Sequence, residues 1–161
     1  MSRSRAVTGK VIAITGGARG IGRAIAERLT TAGARVAIGD RDLEAAQETA
    51  AELGVRAYSL DVADRDSFDD FLGAVRSELG PVDVLINNAG IMWVGSFEEE
   101  PDSAARAQLE VNLLGVINGV KAAAPAMRGA GRGHLIAVAS AATVLPVPGE
   151  ATPAATKAGV L

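Results

Sequence analysis

The sequence predicts an α/β fold in which a parallel sheet lies between two layers of helices. Strand-length apolar runs alternate with amphipathic, helix-length segments along the whole chain of 161 residues. Such alternation requires crossover connections, which place the strands parallel in one doubly wound sheet with helices on both faces. The first apolar run, at residues 11–14, has no polar face, as expected for a strand buried on both sides.

Composition and charge limit the classes of function. Residues 1–161 have the length of one domain, and no linker or low-complexity stretch divides them. The net charge of −3 argues against a nucleic-acid partner, and the lack of cysteine with a single histidine argues against a metal site. No apolar run is long enough for a membrane helix, and the chain opens without a signal peptide. We therefore expect a cytoplasmic protein without a membrane partner.

The first half of the chain carries three predicted strands and two helices. Gly33 marks the end of the first helix, whose apolar residues recur at helical spacing. Asp42 is placed to cap the second helix, and Gly54 lies just beyond its end. The predicted elements are a strand at 11–14, a helix at 21–31, a strand at 35–38, a helix at 42–53 and a strand at 55–60.

The second half continues the alternation. Gly80 and Pro81 end the third helix, and a long helix follows the fourth strand. We expect Pro125 to kink or shorten the last turn of that helix, and Glu98–Glu100 to form a solvated stretch before it. The predicted elements are a helix at 64–79, a strand at 82–86, a helix at 102–128, a strand at 134–139 and a helix at 149–161.

A glycine-rich turn follows the first strand and opens the first helix. Glycines at 16, 20 and 22 remove Cβ atoms where the chain turns and where an anion could approach the backbone. A helix that starts there directs unpaired N–H groups and a positive dipole end at this position, which favours phosphate. The turn, read with the strand before it and the helix after it, predicts a dinucleotide site. A tight turn without a ligand is the alternative.

Acidic residues follow the next two strands. Asp40 is positioned to accept hydrogen bonds from an adenosine ribose, and its charge would repel a 2′-phosphate, so NAD is favoured over NADP. Arg19 and Arg41 argue mildly for NADP, because a guanidinium can pair with that phosphate. Asp40 could instead be a turn or capping residue. Asp61 could bind an adenine amino group or merely end its strand.

Amides mark the fourth strand end and the long helix. Asn87-Asn88-Ala89-Gly90 is suited to form a wall against a flat ring and sugar, although a plain turn would use the same residues. Asn112 lies among apolar helix residues, and a buried amide needs partners. It is therefore either structural or part of a polar relay.

Together these residues resemble the short-chain dehydrogenase/reductase family, in register from about Thr8 to Leu161. The motifs are Thr15-Gly-x-x-x-Gly-x-Gly22, Asp61-Val62, Asn87-Asn-Ala-Gly90, Asn112, Ser140 and Lys157. The resemblance implies a Rossmann fold with strand order 3-2-1-4-5 and hydride transfer between NAD(P) and a small alcohol or carbonyl substrate. The cofactor-binding residues that it implies are Gly16, Arg19, Gly20, Ile21, Gly22, Asp40, Arg41, Asp61, Val62, Asn88, Ala89, Gly90 and Lys157.

The implied catalytic group is incomplete. The family uses a serine to position the substrate oxygen, an asparagine for a water relay and a Tyr-x-x-x-Lys pair, which correspond to Ser140, Asn112 and Lys157. The tyrosine position is occupied by Pro153, which we expect the fold to tolerate in a first helical turn capped by Thr152. Proline has no titratable group, and general acid–base catalysis contributes about 10²–10⁴-fold. We therefore predict an inactive or severely impaired enzyme.

Two alternatives remain beside an impaired enzyme: a catalytically inactive NAD-binding pseudoenzyme that acts as a sensor or scaffold, and a fragment that binds nothing. Family members usually carry further strands, helices and a substrate loop after the lysine-bearing helix. We therefore expect this chain to be a C-terminally truncated version with an open edge at its fifth strand. Family members are commonly homodimers or homotetramers, an assembly that we expect to be doubtful here.

Overall fold

The computed structural model describes residues 7–145 and 147–161. Five parallel strands form one sheet in the order β3-β2-β1-β4-β5, which confirms the predicted Rossmann topology. The strands are β1 (Val11–Thr15), β2 (Arg35–Asp40), β3 (Arg56–Ser59), β4 (Val84–Asn87) and β5 (His134–Ala137). The helices are α1 (Gly20–Thr31), α2 (Leu43–Leu53), α3 (Arg65–Leu79), α4 (Asp102–Gln108), α5 (Gly115–Gly129) and α6 (Ala151–Ala158).

The strand register brings the carboxyl ends of the strands to one edge of the sheet. Thr15 lies opposite Gly39 of β2, and Ile14 lies opposite Ile86 of β4. Asn87, the last residue of β4, lies opposite Ala137 of β5. The polar residues that follow each strand therefore share this edge, as the sequence predicts.

Each face of the sheet is covered by its own apolar cluster. On one face, the side chains of α3 (Phe68, Phe71, Leu72 and Val75) pack with Met127 of α5 against the strands. On the other face, Ala26 of α1 and Ala46 and Ala50 of α2 pack against Ile12, Ile14 and Ile38. Alanine at these helix positions lets the helices pack closely on the sheet, so few aromatic side chains are needed to fill the core.

The predicted caps of α2 are confirmed. The Asp42 carboxylate accepts a hydrogen bond from the Ala45 N–H at 3.2 Å, and Gly54 adopts a left-handed conformation with φ of 68°. This hydrogen bond, together with the Arg19 guanidinium, lowers the pKa of Asp42 below its usual range, although partial desolvation opposes it.

The long helix predicted at 102–128 is helical from Asp102 to Gly129, but it is not α-helical throughout. A π-helical segment at Leu109–Leu114 separates α4 from α5. Of the kink or shortening expected at Pro125, the shortening is wrong, because α5 continues to Gly129, and the kink stays a prediction. Pro125 has no N–H to donate to the Lys121 carbonyl oxygen four residues earlier. Both residues are exposed, so water can donate a hydrogen bond to that carbonyl instead.

Two further expectations require correction. Thr152 does not cap α6; it lies inside the helix, and its hydroxyl donates a hydrogen bond to the Glu100 carboxylate. Glu100 is consequently half-buried, so the solvated stretch predicted at 98–100 is wrong at Glu100, whereas Glu98 and Glu99 are exposed. Both corrections have one cause, because the chain before α4 packs against α6.

The fifth strand lies at an edge of the sheet, as predicted, and ends two residues earlier than the sequence suggests. All four of its residues are exposed, including Leu135 at 40% and Ile136 at 45%. Within the described ranges, no helix is both long and apolar enough to cross a membrane.

Candidate functional site

A cleft of about 760 Å³ opens at the carboxyl edge of the sheet. Eleven of the thirteen residues predicted to bind a cofactor line it: Gly16, Arg19, Gly20, Ile21, Asp40, Arg41, Asp61, Val62, Asn88, Ala89 and Gly90. Gly22 and Lys157 are outside this lining, as are Asn112 and Ser140. The strand ends therefore bring most of the predicted cofactor residues together in one place.

The glycine-rich turn lies against the end of β4. Gly16 has a φ of 67°, and a Cβ atom there would lie 2.7 Å from the Ala89 Cα. Gly22 is closer still, since its Cβ would lie 2.1 Å from the Gly16 carbonyl oxygen. Gly22 thus acts within the turn rather than on the cleft surface, because it allows the start of α1 to approach Gly16.

The first turn of α1 faces the cleft. Gly20 has a φ of 57°, and a Cβ atom there would enter open space in the cleft. The neighbouring Ile21 is 65% exposed even though it is apolar, and it also lines the cleft. A helix start with its first N–H groups unpaired within the helix and an apolar side chain beside them can hold an anionic group and cover an attached ring.

Thr15 and Asn88 bind the glycine-rich turn to the end of β4. The Thr15 hydroxyl oxygen accepts hydrogen bonds from the backbone N–H groups of Asn88 and Ala89, both at 3.0 Å. The Asn88 side-chain amide donates to the carbonyl oxygens of Thr15 and Gly16 at 3.0 and 3.1 Å. The segment 87–90 is therefore not a plain turn, because it fixes the floor of the cleft.

Asp40 is held in place by backbone groups on two sides. One carboxylate oxygen accepts a hydrogen bond from the Ala18 N–H and the other from the Asp42 N–H, both at 3.1 Å. Each oxygen keeps a further lone pair, so the carboxylate can still accept from a ligand. The Arg19 guanidinium pairs with Asp42, while Arg41 is exposed at the cleft wall.

Asp61 and Val62 line the cleft and also accept hydrogen bonds within the fold. The Asp61 carboxylate accepts a hydrogen bond from the Ala63 N–H at 3.0 Å. The Asn118 side chain of α5 donates to the Val62 carbonyl oxygen at 3.0 Å. The carboxylate of Asp61 thus stabilises its own turn and lines the cleft, so both interpretations of this residue remain open.

Asn112 lies in the π-helical segment and is only 1% exposed. Its amide exchanges two hydrogen bonds with the backbone of Ile91, accepting from the N–H at 2.8 Å and donating to the carbonyl at 2.9 Å. It also donates to the Thr156 hydroxyl at 3.1 Å. Asn112 therefore joins the segment after Gly90 to α6, which establishes its structural role and leaves the water relay as a prediction.

Lys157 of α6 is half-buried behind Gly90. Its ammonium donates a hydrogen bond to the Val138 carbonyl oxygen at 2.8 Å, and a Cβ atom at Gly90 would lie 3.3 Å from the Lys157 Nζ. Burial lowers the pKa of Lys157 below its ordinary value, because desolvation disfavours the charged form. Lys157 is thus close to the cleft wall without lining it.

Pro153 and Thr156 are both buried in α6. The Thr156 hydroxyl donates its proton to the Pro153 carbonyl oxygen at 2.8 Å and accepts from Asn112. The Thr156 proton is therefore engaged within the helix. No side chain on this face of α6 offers a hydroxyl proton in the place where the family has its tyrosine.

Ser140 lies at the start of a short 3₁₀ helix, Ala141–Thr143. Its side chain is exposed, and the Ser140 Oγ accepts a hydrogen bond from the Ala142 N–H at 3.1 Å. The Ser140 hydroxyl proton is consequently available to a ligand.

Some cleft residues were missed by the sequence analysis. Leu60, Ala63 and Ile91 directly adjoin motif residues, and Asp42 follows the acidic residue at the end of β2. Ala107, Glu110 and Val111 come from the far wall, where α4 meets the π-helical segment. Their spacing of three and four residues places them on one helix face, which is the signal that could have identified them.

Comparisons with known proteins agree with this geometry. A sequence model of the family described as short chain dehydrogenase matches residues 10–161. The 2,5-dichloro-2,5-cyclohexadiene-1,4-diol dehydrogenase LinX of Sphingobium indicum is 37% identical over 159 residues, which cover 96% of this chain and 64% of LinX. Sorbitol dehydrogenase of Cereibacter sphaeroides is 42% identical over 130 residues, covering 80% of this chain and 51% of that protein.

A solved structure is similar over nearly the whole described fold. The crystal structure of a short chain dehydrogenase/reductase from Burkholderia phymatum in complex with NAD matches with a TM-score of 0.92 and 31% sequence identity. The match covers 97% of this chain and 58% of that chain. This chain therefore spans less than two thirds of the length of each of these three proteins.

Proposed function

This chain belongs to the short-chain dehydrogenase family, and on that basis we propose that it binds a nicotinamide dinucleotide in the cleft at the carboxyl edge of its sheet. The fit of the cleft carries the proposal. Its volume of about 760 Å³ is within the range of small-molecule sites, roughly 300–1,000 Å³. Gly20 leaves space where any side chain would intrude, at the point where the first turn of α1 begins.

Each part of the dinucleotide has a suitable group on the cleft wall. The turn at 16–22 offers backbone N–H groups to the pyrophosphate, and Asp40 offers a carboxylate to the adenosine ribose. Asp61 and Val62 would contact the adenine, and residues 88–90 would lie against the second ribose and ring. Lys157, with its ammonium beside Gly90, would hold that ribose.

We expect NAD to bind more tightly than NADP. Asp40 would repel a 2′-phosphate, and the Arg19 guanidinium that could pair with this phosphate is already paired with Asp42. Arg41 is the cation in the cleft lining that would favour NADP. The negative charges of the Asp40 and Asp42 carboxylates oppose this single positive contribution to NADP binding.

The bound cofactor would supply or accept the hydride that converts an alcohol to a carbonyl group or the reverse. Ser140 would position the substrate oxygen with its free hydroxyl proton, and Asn112 would hold the segment after Gly90 in place. Proton transfer is the weak step, because the Pro153 side chain has no titratable proton and the Thr156 hydroxyl proton is bonded to the Pro153 carbonyl oxygen. We therefore expect hydride transfer to be severely impaired or absent.

The same observation favours a second candidate function. A cleft that fits the cofactor, combined with a missing proton donor, is typical of an NAD-binding pseudoenzyme that senses the cofactor or scaffolds a partner. Cofactor binding does not separate the two candidates, because both retain Gly16–Gly22 and Asp40. Only an assay of hydride transfer can separate the enzyme from the pseudoenzyme.

Restoring the tyrosine tests the enzyme proposal. Pro153→Tyr should raise the rate of NAD reduction or NADH oxidation by about 10²–10⁴-fold, the usual contribution of a general acid or base. The names of the relatives suggest the alcohols to include in the panel: a cyclic diol and a sugar alcohol, with the matching ketones. The rate is measured from the absorbance of NADH.

Pro153→Phe is the matched control, because it adds the ring without the hydroxyl and should leave the rate unchanged. If the natural proline form turns over as fast as Pro153→Tyr, the argument from the missing tyrosine is wrong. If Pro153→Tyr binds NADH and stays silent on the whole panel, the pseudoenzyme is the better description.

The remaining expectations belong to the whole protein. The substrate is expected to be a small alcohol or carbonyl compound, as in the names of the relatives. The cytoplasmic location and the assembly into homodimers or homotetramers stay predictions.

A further inference from the structure

The peptide groups on both sides of Ala18 are held by side chains from outside the glycine-rich turn. The Ala18 N–H donates to the Asp40 carboxylate at 3.1 Å, and the Ala18 carbonyl oxygen accepts from the Thr49 hydroxyl at 2.7 Å. Asp40 ends β2, while Thr49 lies in α2, 31 residues after Ala18. The middle of the turn is thus fixed by two separate elements.

The hydrogen bond from Thr49 is enclosed by the protein. Thr49 is 5% exposed and Ala18 is 4% exposed, so water does not compete for the Ala18 carbonyl. A buried carbonyl that loses its only side-chain donor keeps the full cost of its desolvation. This contact therefore constrains the turn more strongly than an exposed contact of the same length would.

The orientation of this peptide decides where the next N–H group points. A trans peptide is planar, and its carbonyl and N–H bonds point in opposite directions. Because the Ala18 carbonyl points toward Thr49, the Arg19 N–H of the same peptide points away from α2. Arg19 lines the cleft and Thr49 does not, so the N–H is directed to the cleft side.

We propose that Thr49 is a positioning residue for the pyrophosphate of the dinucleotide. Its hydroxyl fixes the Ala18–Arg19 peptide and so presents the Arg19 N–H, immediately before the first turn of α1, to the anion. This inference rests on the proposed function. It predicts that Thr49 matters for ligands that contain the pyrophosphate and not for the adenosine part alone.

The test compares Thr49→Val with Thr49→Ser in the full chain. Valine keeps the shape of threonine and removes the donor, while serine keeps the hydroxyl. Dissociation constants for NADH, ADP-ribose and adenosine are measured by isothermal titration calorimetry. Thr49→Val should weaken NADH and ADP-ribose by about tenfold, the factor expected for loss of a buried hydrogen bond, and leave adenosine within about twofold. Thr49→Ser should bind all three ligands like the natural protein.

Thr31→Val is the matched control. The Thr31 hydroxyl also donates to a backbone carbonyl, that of Glu27 at 2.9 Å, but at an exposed position on α1. This variant should leave all three dissociation constants unchanged. If Thr49→Val does not fold, Thr49→Ala and Thr49→Ser provide the same contrast at smaller volume.

The outcomes separate this inference from the proposed function. If the natural protein binds neither NADH nor ADP-ribose, the proposed function fails. If the natural protein binds both and the hydroxyl-free variant binds them equally well, the positioning role of Thr49 is overturned. A loss of the same size for adenosine would overturn it too, because it would indicate a general loosening of the fold.

Discussion

Lys157 lies in surroundings that oppose its charge. Desolvation lowers the pKa of its ammonium, while the Val138 carbonyl supplies a single hydrogen bond. In the family, a lysine at this position lowers the pKa of the catalytic tyrosine. With Pro153 in the tyrosine position, that charge has no proton donor to act on, and its expected role is reduced to holding the ribose.

The lowered pKa has a consequence for stability that can be measured. Between the folded and unfolded pKa values of Lys157, the unfolded chain binds more protons, so stability rises with pH in this window. The contribution of Lys157 is complete above its unfolded pKa, near 10.5, and is lost as pH falls through its folded pKa. The natural protein should therefore gain stability relative to Lys157→Met as the pH rises from the folded pKa of Lys157 toward 10.5.

Urea unfolding of both proteins at several pH values measures this difference, and groups common to both proteins cancel. A difference in the free energy of unfolding that stays constant with pH would mean that burial does not perturb Lys157. A difference that changes in the opposite direction would mean that the ammonium is stabilised by the fold.

At the scale of elements, the contact between the glycine-rich turn and α1 determines the shape of the cleft. The chain approaches itself so closely at Gly22 that a Cβ atom would meet the Gly16 carbonyl oxygen and, at 2.6 Å, the Asn88 amide nitrogen. Both atoms belong to the network that joins the turn to β4. A side chain here would separate α1 from the segment that forms the cleft floor.

Gly22→Ala should lower the free energy of unfolding by about 3 kcal/mol, because the clash is with backbone and a bonded amide. Gly73→Ala is the matched control, since Gly73 lies in α3 and a Cβ atom there has no neighbour within 4 Å. That variant should be more stable by about 0.5–1 kcal/mol, the helix-propensity gain of alanine over glycine. Chemical unfolding measures both, and equal effects of the two substitutions would contradict the proposed close approach.

Local patterns predicted the strands, because each strand is a short apolar run between turn residues, whereas their order in the sheet was predicted from the resemblance to the family. The π-helical segment within the long helix was not predictable in this way. It accompanies three hydrogen bonds of the Asn112 side chain, which accepts one from Ile91 and donates one each to Ile91 and Thr156, residues distant in sequence. The contact of Thr152 with Glu100 is also tertiary. Helix spacing and cap preference describe only neighbours along the chain, so neither feature follows from them.

At the scale of the whole molecule, the sequence predicted those site residues that lie at the ends of strands. Parallel strands bring their carboxyl ends together. Residues such as Asp40 and Asn88 were therefore predicted to lie in the site from their positions at or just after the ends of strands. Residues that reach the site from helices, such as Val111 in the lining and Thr49 behind the turn, lack that signal. Their roles depend on how α2 and the π-helical segment pack onto the sheet.

NAD is proposed to bind in the cleft although Pro153 leaves this chain without the proton donor of the family. Its single tryptophan, Trp93, lies in the segment just after Gly90, where its backbone N–H donates a hydrogen bond to the Gln108 side-chain oxygen at 3.1 Å. Titration with NADH, following energy transfer from Trp93 to the reduced nicotinamide, measures this binding. We predict a saturable signal that is absent in Trp93→Phe and is weaker with NADPH. A folded protein that gives no saturable signal with either NADH or NADPH would show that the cleft does not bind the cofactor.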